Sequence, residues 1–293
     1  MVSALSERVR HLTVRADDGL RLAVEDCGPH HTGRSPLLCL AGLTRTKRDF
    51  TELRDHFAFH PTEPRRVVMM DTRGRGGSEW DKDPTQYSVP REAADVTQVA
   101  VALGLHDTVI VGTSRGGILA MALAVSKAGL IAGAVLNDIG PVIAAKGIGR
   151  LKAQLGGRSL PATWDDAALR LAKGLSEQFP FFDEADWAEY ARRTFADKDG
   201  HPAPLADPAI GDALKETPDV PQPLDLSVYF RALIRRPVLL IRGEHSDLLD
   251  EATVDEAALL GAETHTVPDE GHAPWLRGPV LERVESFLSA NGL

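Results

Sequence analysis

Short apolar runs alternate with helical segments along the first half of the chain. The runs are rich in Val, Leu and Ile and are bounded by turn residues: Leu37–Ala41, Val67–Met70, Thr108–Val111 and Ala132–Leu136. The stretches between them carry apolar residues at helical spacing: Thr46–Phe57, Arg91–Leu103 and Gly116–Ala128. Because strands buried on both faces read as continuous hydrophobic runs, this alternation predicts a mostly parallel sheet covered by helices. Ahead of it, Arg10–Val14 and Leu20–Glu25 predict a hairpin at an antiparallel edge.

The pattern is interrupted between residues 141 and 235 and then resumes. The interrupted part is helical and irregular, with scattered prolines and clustered aromatic residues. Beyond it the predicted strands and helices are Pro237–Arg242, Glu251–Leu260, Thr264–Val267 and Pro274–Ser289. A helical insertion in an α/β pattern indicates a cap over one end of the sheet. We therefore expect a core domain of residues 1–140 and 236–293 and a cap of residues 141–235.

Composition and charge exclude several classes of partner. The 293 residues carry a formal net charge of −9, which argues against nucleic-acid binding because that binding depends on neutralising phosphates. The segment Met1–Arg15 lacks the apolar run of a signal peptide, and no stretch approaches the length of a membrane span. Cys27 and Cys39 lack metal-ligand or redox spacing. These observations predict a cytoplasmic protein without membrane contact, metal or cofactor; its oligomeric state stays open.

The most specific chemical signal is the segment Gly112–Gly117, which reads Gly-Thr-Ser-Arg-Gly-Gly between a predicted strand and a predicted helix. In this context Ser114 lies on a sharp turn that lifts its hydroxyl out of the sheet end. Glycine on both sides suits a turn that has no room for Cβ atoms. The pattern predicts that Ser114 is a nucleophile.

A serine nucleophile needs a base, and the base needs a group that orients it. His272 follows the last predicted strand and precedes the final helix, so it is the best base among the ten histidines. Two aspartates follow strand ends at the same edge of the sheet, Asp247 and Asp138. We favour Asp247 as the catalytic acid and keep Asp138 as the alternative acid.

The remaining candidate residues stabilise charge or surround the substrate. An oxyanion hole needs backbone N–H donors, and we expect them from Arg115, directly after the nucleophile, and from Leu43, after the turn at Gly42. Aromatic side chains of the cap and Trp275 either line a substrate pocket or form the core of the cap. The candidate pocket residues are Trp164, Phe181, Phe182, Trp187 and Trp275.

Taken in order, these elements resemble the α/β-hydrolase superfamily over essentially the whole chain. The resemblance also includes Asp71–Ser78, which is similar to the family's D-x-R-G-x-G-x-S loop, and the order Ser, Asp, His of the candidate triad. It implies an eight-stranded sheet with a helical cap inserted after the sixth strand. The oxyanion loop departs from the family in reading Ala41-Gly42 in place of His-Gly. Arg115 stands where many relatives have Met or Leu, and could shape the entrance or form a salt bridge to the cap.

The resemblance is strongest to capped bacterial hydrolases related to enol-lactonases and small-molecule esterases. It implies that an ester or lactone is cleaved through an acyl-enzyme on Ser114. Two alternatives stay open: a C–C bond hydrolase of a diketone-type substrate, which would use the same three residues, and a ligand receptor on a hydrolase scaffold. The substrate itself is not predicted beyond a small molecule.

Overall fold

A computed structural model describes residues 9–155, 160–216 and 222–293. An eight-stranded sheet runs through the core in the order β1-β2-β4-β3-β5-β6-β11-β12. In chain order the strands of the molecule are β1 (Val9–Arg15), β2 (Arg21–Cys27), β3 (Leu37–Leu40), β4 (Val67–Met70), β5 (Thr108–Thr113), β6 (Ile131–Asn137), β7 (Val142–Ile143), β8 (Phe195–Lys198), β9 (His201–Pro204), β10 (Leu224–Asp225), β11 (Val238–Gly243) and β12 (Glu263–Val267). β1 and β2 are antiparallel, and the strands from β4 to β12 in the sheet are parallel. The predicted fold class, an α/β-hydrolase sheet with an antiparallel edge, is confirmed.

Helices cover both faces of this sheet. In chain order they are α1 (Thr51–Ala58), α2 (Val89–Ala102), α3 (Arg115–Ser126), α4 (Ala145–Leu155), α5 (Trp164–Leu175), α6 (Glu184–Thr194), α7 (Pro208–Glu216), α8 (Ser227–Leu233), α9 (Glu251–Leu259) and α10 (Pro279–Ala290). A 3₁₀ turn, Lys47–Phe50, precedes α1 in the stretch predicted as one helix. α10 begins five residues after the predicted Pro274, so the chain next to His272 is a loop. None of the described helices is both long enough and apolar enough to cross a membrane.

Successive side chains of each strand point to opposite faces of the sheet, so the apolar core forms two clusters, one on each face. Leu38 and Leu40 of β3 pack with α2, α3, α8 and α9, whereas Leu37 and Cys39 pack with α1 and α10. Successive side chains of a strand point to opposite faces, which is why every residue of β3 is buried. Cys27 and Cys39 are both free and buried within the second of these clusters.

The cap joins the core through a narrow neck. Its first and last strands, β7 and β10, pair antiparallel with each other, so the chain leaves and returns at one place. Between them lie α4 to α7 and the hairpin of β8 and β9. The helix α8 lies in the segment predicted as cap, yet Phe230 and Leu233 are fully buried in the core cluster beneath α3. The predicted boundary at Arg235 is therefore too late, and the core resumes directly after β10.

Candidate active site

Ser114 lies at a strained turn between the central strand β5 and the helix α3. Its φ is +49°, a left-handed conformation that residues with a Cβ rarely adopt. The turn is held because the Ser114 N–H donates to the Asn137 carbonyl at 3.0 Å. A Cβ on Gly116 would lie 1.9 Å from the Leu40 carbonyl oxygen, so only glycine lets α3 approach β3 this closely. This geometry places Ser114 on the strand-to-helix turn that the sequence predicts.

His272 faces Ser114 from the loop between β12 and α10. Its Nε2 lies 3.1 Å from Ser114 Oγ, within hydrogen-bond distance. The loop is held against the cap, because the His272 backbone N–H donates to the side-chain oxygen of Gln178 at 2.8 Å. The imidazole is largely buried, with 9% of its side chain exposed. Serine and imidazole are thus in hydrogen-bond contact.

Asp138, and not Asp247, contacts the imidazole. Asp138 Oδ2 lies 2.6 Å from His272 Nδ1, and the carboxylate is fully buried. It also accepts hydrogen bonds from the Gly243 N–H at 2.9 Å and from the Ser246 hydroxyl at 2.5 Å. Since a carboxylate only accepts, the imidazole hydrogen lies on Nδ1, and Nε2 is free to accept from the Ser114 hydroxyl.

The favoured position of Asp247 next to His272 is wrong in this structure. Its carboxylate forms a two-pronged ion pair with Arg150 of the cap helix α4, at 2.6 and 2.8 Å. The reason is distance along the chain: Asp138 is the first residue after β6, whereas Asp247 lies four residues beyond β11 and is carried toward the cap. The sequence feature that favours Asp138 over Asp247 is its position nearer to the end of the preceding strand.

The residues that carry the two expected oxyanion donors, Leu43 and Arg115, lie near Ser114. Arg115 is the first residue of α3, where a backbone N–H has no partner within the helix. Gly42, next to Leu43, is so close to the nucleophile that a Cβ added there would lie 3.9 Å from Ser114 Cβ. Among the residues that the structure describes, neither the Leu43 N–H nor the Arg115 N–H donates a hydrogen bond. Both groups are available to a ligand next to Ser114.

A cavity of about 390 Å³ separates this cluster from the cap. Ser114 and His272 form part of its floor. The cap contributes a largely aliphatic wall from α4, α5 and the segment before α7, including Leu151, Leu155, Leu171, Leu175 and Leu205. The cluster of Ser114 and His272 therefore opens into a mainly apolar space of the size that holds a small molecule.

Of the five aromatic side chains predicted for the pocket, Trp275 alone lines this cavity. Phe182 and Trp187 instead pack with Phe179 and Leu175 into the small hydrophobic core of the cap. Phe182 also reaches the back of the Trp275 ring, with ring centroids 5.2 Å apart. The prediction that Phe182 and Trp187 line the pocket is wrong. The cap is small, and it needs these large aromatic side chains to form its own hydrophobic core.

The other two predicted aromatic residues also point away from the cavity. Phe181 is 75% exposed on the outer surface of the cap. The Trp164 indole donates to the Gly200 carbonyl at 3.0 Å and stacks beneath the Arg192 guanidinium. An aromatic residue that the predicted set omits, Tyr190, does line the cavity, and burial raises the pKa of its hydroxyl. No local pattern distinguishes Tyr190 from its aromatic neighbours on α6.

The arginine side chains of the cavity wall are compensated within the protein. Arg45 illustrates the arrangement: it forms a two-pronged ion pair with Asp49 at 2.6 and 2.8 Å and lies over the Tyr190 ring. The other arginines of the wall also contact carboxylates, in the pairs Arg150–Asp247, Arg170–Asp166 and Arg193–Glu52. These arginines therefore present little uncompensated positive charge to a ligand, whereas the Asp207 carboxylate on the same wall accepts a hydrogen bond from the Tyr87 hydroxyl at 2.6 Å.

A sequence profile described as the Alpha/beta hydrolase family matches residues 37–283, most of the chain. The chain belongs to the α/β-hydrolase family. It is 34% identical over 254 residues to a 3-hydroxybutyrate-oligomer hydrolase of Cupriavidus necator, covering 83% of this chain and 84% of that protein. The crystal structure of an α/β-hydrolase from Novosphingobium aromaticivorans matches with a TM-score of 0.88 and 34% identity, covering 96% of this chain and 98% of the other.

A more distant neighbour has the same fold. An esterase from Exiguobacterium antarcticum matches this α/β-hydrolase with a TM-score of 0.67 at 18% identity, over 96% of this chain and 97% of that one. The order Ser, Asp, His expected from the family resemblance is kept with Asp138 in place of Asp247. Arg115, for which the sequence left open a salt bridge to the cap, pairs instead with Glu92 of the core helix α2 at 2.7 Å.

Proposed function

We propose that this α/β-hydrolase cleaves a carboxylic ester or lactone of a small molecule through an acyl-enzyme on Ser114. The observation that carries the proposal is the continuous contact from Ser114 Oγ to His272 Nε2 at 3.1 Å and from His272 Nδ1 to Asp138 at 2.6 Å. A weak nucleophile, a base and a group that orients the base are thereby aligned, with Ser114 and His272 at the floor of the cavity.

The reaction proceeds in two acyl transfers. Ser114 Oγ attacks the ester carbonyl carbon while its proton passes to His272 Nε2, and the Leu43 and Arg115 N–H groups bind the negative oxygen that forms. Collapse of the tetrahedral intermediate breaks the C–O bond, and the imidazolium returns the proton to the leaving alcohol. A water, deprotonated by the same imidazole, then attacks the acyl carbon; the bond from the acyl carbon to Ser114 Oγ breaks, the imidazolium returns the proton to Oγ, and the acid is released.

Asp138 acts on the imidazole and not on the substrate. Its buried carboxylate keeps the hydrogen on Nδ1 and stabilises the imidazolium that forms when Nε2 takes the serine proton. The donors from Gly243 and Ser246 hold the carboxylate in one orientation. The Asp138 carboxylate is thereby held by groups at the end of the neighbouring strand β11. This fixes the position of the carboxylate relative to His272 and Ser114 more precisely.

The lining of the cavity supports a proposal for the substrate class. The aliphatic wall of the cap favours a short aliphatic acyl or alcohol group, and the paired arginines mean that recognition does not require a charged substrate. The relative from Cupriavidus necator is named for 3-hydroxybutyrate oligomers, which are esters of a short aliphatic hydroxy acid. We therefore take short 3-hydroxyacyl esters as the first substrate class.

The test is a panel of initial rates with a Ser114→Ala control. The panel contains the 3-hydroxybutyrate dimer and trimer, p-nitrophenyl butyrate, an aliphatic lactone and a vinylogous diketone. We expect turnover of the esters, and a loss of about 10⁴-fold or more in kcat for the variant with its circular dichroism unchanged. Ester turnover that survives in the variant would contradict the mechanism, and cleavage of the diketone without any ester turnover would contradict the reaction class.

A further inference from the structure

A buried arginine of the Asp71–Ser78 loop is linked to the oxyanion loop. Arg75 is fully buried, and its Nε donates to the Leu43 carbonyl oxygen at 2.7 Å. Its Nη1 donates to Glu92 at 2.6 Å and to the Arg73 carbonyl oxygen at 2.6 Å. A guanidinium with several fixed partners has little freedom to move, so Arg75 holds the Leu43 carbonyl in a defined position.

The same buried carboxylate also holds the residue after the nucleophile. Glu92 has no exposed surface; one of its oxygens accepts from Arg75 and the other from Arg115 Nε at 2.7 Å. Arg115 provides one proposed oxyanion donor and Leu43 the other. The chain of contacts Leu43–Arg75–Glu92–Arg115 therefore connects the two sides of the oxyanion hole through one carboxylate.

The peptide planes around Leu43 show how this contact orients the donor. The Leu43 N–H shares a planar peptide with the Gly42 carbonyl, which accepts from the Arg45 N–H at 3.1 Å. The Leu43 carbonyl, in the next peptide plane, is bound by Arg75. Both planes that meet at the Leu43 Cα are thus held, and the direction of the donor N–H is determined by hydrogen bonds on either side.

We propose that Glu92 and Arg75, with the side chain of Arg115, are positioning residues that set the geometry of the oxyanion hole. This inference rests on the proposed function. Oxyanion donors act over a narrow distance range, about 2.7–3.1 Å, and a displacement of about 1 Å costs about 100-fold in rate. A buried carboxylate that holds both donor segments fixes their positions relative to each other and to Ser114.

An electrostatic role and a positioning role of this cluster predict opposite changes in kcat for Glu92→Gln. The three side chains sum to one positive charge, and the substitution leaves two positive charges next to the developing oxyanion. If the cluster acted only through its electrostatic field, the added positive charge would favour the oxyanion and raise kcat. If it acts by position, weaker contacts to Arg75 and Arg115 lower kcat. The direction of the change therefore distinguishes the two roles.

The chain offers a matched control three residues further along α2. Asp95 is fully buried and pairs with Arg73, also fully buried and from the same loop, at 2.6 and 2.7 Å. Asp95→Asn removes one carboxylate charge from the same helix without touching Leu43 or Arg115. A general loss of packing between the loop and α2 would affect both variants alike.

The experiment compares Glu92→Gln, Asp95→Asn and Arg115→Met with the wild-type enzyme, below the melting temperature of each. Two readouts are used: kcat and KM on p-nitrophenyl butyrate, and the second-order rate of Ser114 labelling by a fluorophosphonate, which uses the same donors without the natural substrate. For Glu92→Gln we expect kcat and the labelling rate to fall about tenfold or more with KM within about threefold. For Asp95→Asn we expect kcat and the labelling rate to stay within about threefold of the wild-type values. This substitution nevertheless lowers the melting temperature to an extent similar to that of Glu92→Gln.

Several results would overturn the inference. One is a Glu92→Gln enzyme that is as fast as or faster than wild type; another is an equal loss of rate in Asp95→Asn. If Glu92→Gln does not fold, Arg115→Met replaces it, because that side chain is partly exposed; an unchanged labelling rate in Arg115→Met then contradicts the proposal. Failure of the proposed function gives a different result, since wild-type turnover and labelling would then not depend on Ser114.

Discussion

At the scale of single residues, the position of one carboxylate determines which histidine nitrogen carries the hydrogen. Asp138 has a left-handed backbone, with φ of +55°, directly after β6, and this bend directs its side chain across the sheet end to His272. Ser246, one residue before the rejected candidate Asp247, donates to Asp138 and so belongs to the support of the acid. The two candidate aspartates thus have separate roles, one at the imidazole and one at the cap.

We expect Asp138→Asn to lower kcat/KM by about 10⁴-fold, because an amide can donate to Nδ1 and favour the wrong imidazole tautomer. Asp247→Asn should lower it by less than about tenfold, since its carboxylate contacts Arg150 and not the imidazole. Ester hydrolysis by the two purified variants, with thermal melting as a check on folding, tests this. A greater loss of kcat/KM in Asp247→Asn would mean that Asp247 is the catalytic acid.

At the scale of elements, the contact between α3 and β3 determines where the nucleophile lies. The helix crosses the end of the sheet so closely that a Cβ on Gly112 would lie 2.6 Å from the Gly116 backbone, and one on Gly116 would meet Leu40. The two glycines therefore act together: they let the first turn of the helix lie against the strands. The same approach brings the N–H groups of that turn next to the Ser114 hydroxyl.

We expect Gly116→Ala to lower the free energy of unfolding by about 3 kcal/mol or more, because its Cβ meets a backbone atom that cannot move aside. Gly129→Ala is the control: Gly129 has an ordinary φ, a Cβ there meets nothing within 4 Å, and the change should be under about 1 kcal/mol. Urea unfolding of both variants measures the difference. Similar small changes in the two would show that α3 can shift away from β3.

At the scale of the whole molecule, polar contacts attach the cap to the core at several places. Besides the neck of β7 and β10, Arg193 of α6 pairs with Glu52 of α1, and the Gly76 N–H donates to the Leu205 carbonyl at 2.7 Å. The Arg150–Asp247 pair joins α4 to the loop after β11. The Asp71–Ser78 loop thus touches the cap, while its Arg75 touches the oxyanion loop.

We expect Arg150→Gln to increase amide hydrogen exchange of residues 145–155 by about tenfold, because it leaves Asp247 unpaired and loosens α4 from the core. Exchange of β5 should be unchanged. Arg192→Gln provides the control, since Arg192 pairs with Asp197 inside the cap, and exchange of α4 should then change by less than about threefold. Equal exchange of α4 in all three proteins would mean that the Arg150–Asp247 pair does not hold the cap.

The sequence alone predicts the strands of the core sheet and the two residues, Ser114 and His272, that the structure brings into contact. Apolar periodicity predicts the strands of the sheet, and the turn Gly112–Gly117 and the loop before the last helix identify Ser114 and His272, because period and turn chemistry are properties of neighbouring residues. The cap boundary, however, was predicted too late, since the burial of Phe230 and Leu233 against α3 depends on packing between distant segments.

Tertiary structure alone decided the partners of the charged and aromatic side chains. Asp138 and Asp247 both follow strand ends, and only the folded chain brings one of them, 134 residues away in sequence, to His272. Likewise the Arg75–Glu92 pair and the burial of Phe182 and Trp187 inside the cap have no local signal. Contacts between segments far apart in sequence are set by how sheet, loops and cap pack together, and this packing determines which polar groups meet at the site.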